Sequence, residues 1–266
     1  MRNYGYPIHL ENYVKLKETS TNLVCAVPEG FVRPEEINPT SWFEIKNQYK
    51  IGSCSGNGQS AVCEMDYYVA EKSTIKFSAI FSYYSAQKIC GLTGEDNGAT
   101  IYAAIEAAKK IGVCPLELMP YPDKYQWELP KTCIDAASKY KIGYHKMLYT
   151  PEDVLDFLAL GQGGVILGIV FNDSCEPNER GIIERYTKDN GGGHCMCILG
   201  YTKETDSKGR PYYWMANSWG RGWGLNGWAK VSYDALSQMF DHKFTVVAGM
   251  SSLTIPMART NDFKLW

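Results

Sequence analysis

Apolar residues at Ala61, Val62, Met65, Tyr68 and Val69 recur at helical spacing, with Glu64 and Asp66 between them. They follow a Gly- and Ser-containing run, Gln48 to Cys54, so the pattern predicts a loop that turns into a helix near Cys54. A second helix is predicted from about Phe77 to Cys90, where Phe77, Ile80, Phe81 and Tyr84 line one face. A third is predicted over Ala99–Ile111, closed by Gly112. Thr150-Pro-Glu-Asp153 reads as a helix start, with Thr as N-cap and Pro in the first turn, opening a helix to about Leu160. The period then changes. Gly164–Phe171 is a β-branched run that reads as a buried strand. Further strands are predicted at Cys195–Tyr201, Tyr212–Ala216, Trp228–Val231 and Phe244–Ala248, with Gly-rich turns between them. A helical front half followed by a β back half predicts two lobes in an α+β arrangement. Residues 1–38 lack periodicity, and Pro7, Pro28, Gly30 and Pro34 predict extended segments there.

The 266 residues suffice for one large domain or two lobes sharing a cleft. A net charge of −2 gives no reason to expect a nucleic-acid or acidic-membrane partner. The longest apolar run, Gly163 to Phe171, is too short to span a bilayer. Nine scattered Cys, an odd number without CxxC spacing, and no apolar segment after Arg2 favour a reducing setting.

The chemistry concentrates in three stretches. Cys54 stands at a helix start, where unpaired N–H groups and the helix dipole favour a thiolate. Gln48 is an amide donor six residues earlier. His194 follows Gly191-Gly192-Gly193 and opens an apolar strand. Strand alternation puts His194, Met196 and Ile198 on one face and Cys195 and Cys197 on the other, which argues against a metal site built from them. His145 and His242 lie among polar neighbours and read as surface residues. The third stretch is Asn217-Ser-Trp-Gly-Arg-Gly-Trp-Gly-Leu-Asn-Gly-Trp228. An Asn oxygen there can accept from an imidazole N–H and fix its tautomer.

Taken together, Gln…Cys, Gly-Gly-His and Asn-Ser-Trp-Gly-x-Gly-Trp-Gly resemble the papain-like cysteine peptidases over about residues 39–250. His194 and Asn217 follow Cys54 by 140 and 163 residues, against about 130–150 for the family. The resemblance implies a helical N-terminal lobe over about 39–145 and a β-barrel-like C-terminal lobe over about 146–250. The active-site cleft would lie between them, with residues 251–266 as a tail. It implies Cys54 as nucleophile and His194 as base and then acid. Asn217 would orient the imidazole, Gln48 with the Cys54 N–H would form the oxyanion hole, and Trp219 would shield the Asn–His bond. Asn97, Gly98, Ala99, Gly192 and Gly193 are the implied substrate-binding residues, and Met119-Pro-Tyr-Pro122 resembles a family connection. The implied activity is thioester-mediated endopeptidase cleavage of a polypeptide, with no cofactor and no metal. A transferase or amidase using the same set, or a structural or virion-associated protein retaining the fold, are the competing readings.

Three departures shape further expectations. Ile51 replaces a Cys that forms a disulfide in the family. Ser55 replaces an aromatic residue, and Cys195 a common Ala. The first, with the free thiols and the absence of a signal segment, points to a non-secreted protein of bacterial, viral or phage type, cytoplasmic or in a virion, with a virion or assembly partner admitted. Ser55 implies that lobe contacts beside the nucleophile are made differently. Cys63, Cys195 and Cys197 are expected as buried thiols. The small cleft residues suggest a bulky apolar side chain two positions before the cut. Residues 1–38 are expected to wrap one lobe as extended structure, with Val24, Val27 and Phe31 packed on it and the cleft open.

Overall fold

The computed structural model describes Gly5 and residues 10–21 and 27–256. The helical elements of the front half are α1 (Leu10–Thr19), α2 (Cys54–Glu71), α3 (Ala79–Cys90), α4 (Ile101–Lys110) and α5 (Lys131–Ala137). There follow β1 (Tyr144–Met147), α6 (Pro151–Ala159), β2 (Gly164–Phe171), β3 (Ile182–Ile183), β4 (Gly192–Thr205), β5 (Pro211–Ala216), β6 (Trp228–Val231), α7 (Tyr233–Phe240) and β7 (Val246–Ser251).

Local chemistry sets the helix ends. The Ser78 hydroxyl accepts from Phe81 N–H and starts α3, and Gly91 closes it in the left-handed region. Thr100 caps α4 by accepting from Ala103 N–H. Thr150 and Asp153 form a reciprocal capping box on α6. α2 begins at Cys54 without a side-chain cap, because the Ser53 hydroxyl is engaged instead by the Tyr121 hydroxyl at 2.5 Å.

The strands form one seven-stranded sheet in the order β1-β7-β2-β4-β5-β6-β3, antiparallel except for the β3–β6 pair. This overturns the expected barrel-like C-terminal lobe: the sheet is open, with four-residue β1 and two-residue β3 at its edges. Helices on both faces do the covering that closure would have done. On one face, Ala61, Val62 and Met65 of α2 join Ile166 and Leu199. On the other, Val154 and Phe157 of α6 and Leu236 and Met239 of α7 join Leu167 and Met196. β2 is therefore buried at all eight positions. α2 lies close to the sheet where side chains are missing: a Cβ on Gly58 would sit 2.6 Å from Cys195 Sγ.

The amino-terminal region departs from the expected extended form. Residues 10–19 are helical, and Leu16 of α1 is fully buried in the α2-side core. The Leu16 carbonyl lies 3.1 Å from His145 Nε2, and Thr21 N–H donates to the His145 carbonyl. His145 is accordingly wholly buried rather than a surface residue, and burial lowers its pKa. No periodicity within ten residues could reveal α1, because its anchor is a strand more than 120 residues away. Phe31 packs against the far-side core, Val27 is exposed, and Val24 lies outside the described residues, as does His9. Among the described residues eight cysteines are free thiols, with Cys63, Cys195 and Cys197 buried.

Candidate active site

The site lies where the start of α2 meets the start of β4 and the loop after β5. Cys54 opens α2, and its thiol accepts a hydrogen bond from the Cys195 backbone, next to His194. β2 and β4 pair in register, with Ile169 opposite His194, which fixes the height of the imidazole on the sheet. Asn217 follows β5 directly. Its Oδ1 lies 2.8 Å from His194 Nε2 and also accepts from Ser218 N–H at 2.7 Å. An accepting Oδ1 puts the proton on Nε2 and leaves Nδ1 as the basic nitrogen. The Trp219 ring stacks on the imidazole, with centroids 4.6 Å apart and planes 25° apart, and Phe171 meets both rings edge-on. Water is thus excluded from the His194–Asn217 bond.

Gln48 is fully buried beside this group. Its Oε1 accepts from the Ser218 hydroxyl at 2.7 Å and its N–H donates to the Ser218 carbonyl at 2.8 Å. Its Nε2 donates to the Ile51 carbonyl at 3.1 Å. The side chain is therefore oriented by both lobes, oxygen toward Ser218 and amide toward the Cys54 loop. Nothing in the sequence near Ser218 signals this role except its place after Asn217.

The implied substrate-binding residues separate into groups. Gly98 and Ala99 are buried at the start of α4, and the Gly98 N–H donates to the Tyr83 hydroxyl at 2.9 Å. Asn97 is exposed and turned to Glu95, to which its amide donates at 2.9 Å. Gly192 and Gly193 lie on β4, paired with Phe171 and Val170. Sequence reasoning missed Tyr83, Tyr121, Ser218 and Gly5; the last is the most consequential.

The expectation of an open cleft is overturned at Gly5. The Gly5 carbonyl accepts from Ala99 N–H at 3.0 Å, and the Gly5 backbone hydrogen-bonds to the Cys54 thiol. A Cβ at Gly5 would fall 1.7 Å from the Gly52 carbonyl oxygen, so only glycine fits. Cys54, Gln48 and His194 are all fully buried. Burial pushes the Cys54 thiol up to about 11, partly offset by hydrogen bonds from the Cys195 and Gly5 backbones. In this covered state desolvation outweighs the thiolate-favouring helix start.

A thiol bonded to the backbone of the residue after His194, an imidazole oriented by an amide oxygen, and the Gln48 amide held toward the Cys54 loop are the groups that nucleophilic acyl transfer uses. A family model described as papain family cysteine protease matches residues 34–247. An uncharacterized peptidase C1-like protein of Acanthamoeba polyphaga mimivirus is 26% identical over 83% of this chain and 74% of its own length. A viral cathepsin of Epiphyas postvittana nucleopolyhedrovirus is 26% identical over 70% of this chain, which spans only 55% of that relative. Among solved structures, xylellain, a cysteine protease from Xylella fastidiosa, aligns with a TM-score of 0.73 at 23% identity over 96% of both chains. Procathepsin B from Trypanosoma congolense aligns with a TM-score of 0.69 at 18% identity, over 94% of this chain and 86% of the other.

Proposed function

The chain belongs to the papain family of cysteine proteases, and from that premise we propose that it cleaves internal peptide bonds of polypeptides through Cys54, His194 and Asn217. The observation that carries the reading is the His194 Nε2–Asn217 Oδ1 contact of 2.8 Å under the Trp219 ring, with the Cys54 thiol hydrogen-bonded to the backbone of Cys195, the residue after His194. His194 Nδ1 takes the proton of Cys54, and the thiolate attacks the substrate carbonyl. Gln48 Nε2 and the Cys54 N–H receive the developing oxyanion. His194 then protonates the leaving amine, and water, deprotonated by the same imidazole, resolves the thioester. Asn217 keeps the imidazole in the tautomer that both steps need.

The substrate backbone pairs with Ala99 in strand fashion on the acyl side, as the Gly5 carbonyl does with Ala99 N–H. A bulky apolar side chain two positions before the cut suits the small residues Gly98 and Ala99. Residues 39–250 form the peptidase domain. The protein acts as a non-secreted enzyme of bacterial or viral type, in the cytoplasm or a virion. Support for the viral side is the 26% identity to two virus-encoded relatives, together with free thiols at all eight described cysteines. No described helix is long and apolar enough to cross a membrane.

The test is labelling with an epoxysuccinyl thiol-peptidase probe, with the modified residue mapped, beside turnover of a fluorogenic peptide library. Label on Cys54 and loss of turnover in Cys54→Ala are expected. Label spread over the nine cysteines, with turnover surviving in Cys54→Ala, would refute it.

A further inference from the structure

Position 51 supplies no disulfide, yet the loop that carries Gln48 and Cys54 is tied firmly to the loop before α4. Gly52 N–H donates to both oxygens of Asp96, at 3.0 and 2.9 Å. The Tyr83 hydroxyl on α3 donates to Asp96 Oδ1 at 2.7 Å and accepts from Gly98 N–H at 2.9 Å. Gln87 Nε2, one turn later on α3, donates to the same hydroxyl at 3.0 Å and to the Glu95 carbonyl at 2.8 Å. Tyr83 is fully buried, and burial followed by the Asp96 contact raises its pKa, so it stays a donor. Asp96 itself is solvent-exposed, with its oxygens turned toward Gly52.

We propose that Asp96 is a positioning residue for catalysis: with Tyr83 it forms an ionic clasp between the Gln48–Cys54 loop and the Gly98–Ala99 loop, doing without a covalent tie at Ile51. The proposal rests on the peptidase reading above. Two facts give the clasp its catalytic meaning. First, Gly52 lies two residues before Cys54, and Ile51, whose carbonyl accepts from Gln48 Nε2, lies just before it. Fixing the Gly52 amide therefore fixes the carbonyl that orients the oxyanion donor. Secondly, the two tied loops are the two that hold Gly5, through the Gly52 carbonyl on one side and Ala99 N–H on the other. The clasp sets the width that an incoming backbone must fit. A carboxylate is needed because one acceptor group must take the Gly52 amide and the Tyr83 hydroxyl together, and charge shortens and strengthens both bonds. An amide side chain offers one oxygen, and its NH2 would face a donor.

The test uses the full chain with Asp96→Asn, Asp96→Ala and Tyr83→Phe. Three quantities are measured: kcat and KM on a peptide substrate, the rate of Cys54 alkylation by iodoacetamide, and hydrogen exchange of the Gly52 amide. Alkylation needs the thiol but no oxyanion hole. Asp96→Ala should lower kcat at least tenfold and speed Gly52 exchange at least tenfold without slowing alkylation, which stays level or rises as the hold on Gly5 loosens. Asp96→Asn should fall between it and the wild type. Tyr83→Phe combined with Asp96→Ala should lower kcat no further than Asp96→Ala alone, since both act through one clasp. Unchanged kcat and Gly52 exchange in Asp96→Ala would overturn the proposal. So would equal losses of kcat and alkylation with a matching fall in melting temperature, which marks a purely structural residue. A wild-type chain that is alkylated at Cys54 but turns over no peptide would refute the peptidase reading; Gly52 exchange would still decide the clasp.

Discussion

The contact at Gly5 has a measurable consequence. In Gly5→Ala the new Cβ would lie 1.7 Å from the Gly52 carbonyl oxygen and 2.2 Å from its carbon, both rigid backbone atoms. Gly5 must then leave its place, giving up the bond from Ala99 N–H and the bond to the Cys54 thiol. At about 1 kcal/mol net for each hydrogen bond the covered state loses about 2 kcal/mol, roughly a 30-fold change in the covered-to-open ratio. The second-order rate of Cys54 labelling by an epoxysuccinyl probe should rise by about that factor. The pH profile should move as well. In the covered state burial raises the thiol pKa more than the Gly5 bond lowers it; uncovering relieves the desolvation and lets water replace the Gly5 bond, so the rise of the alkylation rate should shift to lower pH. A chain starting at Leu10 keeps α1 and lacks Gly5, and should label at least as fast. Labelling of both variants within twofold of the wild type, with an unmoved pH profile, would refute the view that Gly5 limits access.

Other outcomes follow from single contacts. Asn217→Ala removes the acceptor 2.8 Å from His194 Nε2 and should lower kcat/KM by about 10²-fold or more, read by steady-state kinetics; a loss under threefold would count against its orienting role. Asp66 is buried beside the carboxy-terminal segment, and its pKa is raised to about 7 by desolvation, opposed by the Leu253 N–H bond of 2.8 Å. Between about pH 4 and 7 the folded chain holds a proton that the unfolded chain releases, so stability falls as pH rises through that window. Asp66→Asn keeps an acceptor for Leu253 and should stabilise by about 4 kcal/mol at pH 8 and by almost nothing at pH 4; equal gains in denaturant melts at both pH values would contradict this. Gly56→Ala puts a Cβ 2.4 Å from the Ala79 carbonyl oxygen and 2.5 Å from Tyr83 N, so α2 and α3 must part, with an expected loss of about 1–3 kcal/mol in the same melts.

The sequence alone determined the elements whose signal is local. Periodicity over 61–69 located α2, the Thr150 cap and Gly112 marked helix ends, and the β-branched run of 164–171 matched β2 at both bounds. Cys54, His194 and Asn217, the proposed catalytic set, stand in short strings whose residue types can be read without the fold. Tertiary structure decided everything that depends on distant partners. α1 is held by a strand beyond residue 140, and α5 and β3 are too short to show a period. The sheet stays open because helices cover both its faces, which alternation within a strand cannot report. The Asp96–Gly52 tie spans 44 residues, and its carboxylate looks in sequence like any loop acid. The covering of Cys54 turns on one glycine with no motif around it. Its meaning comes from the 1.7 Å that a Cβ would leave to Gly52, and only the folded chain brings those two residues together.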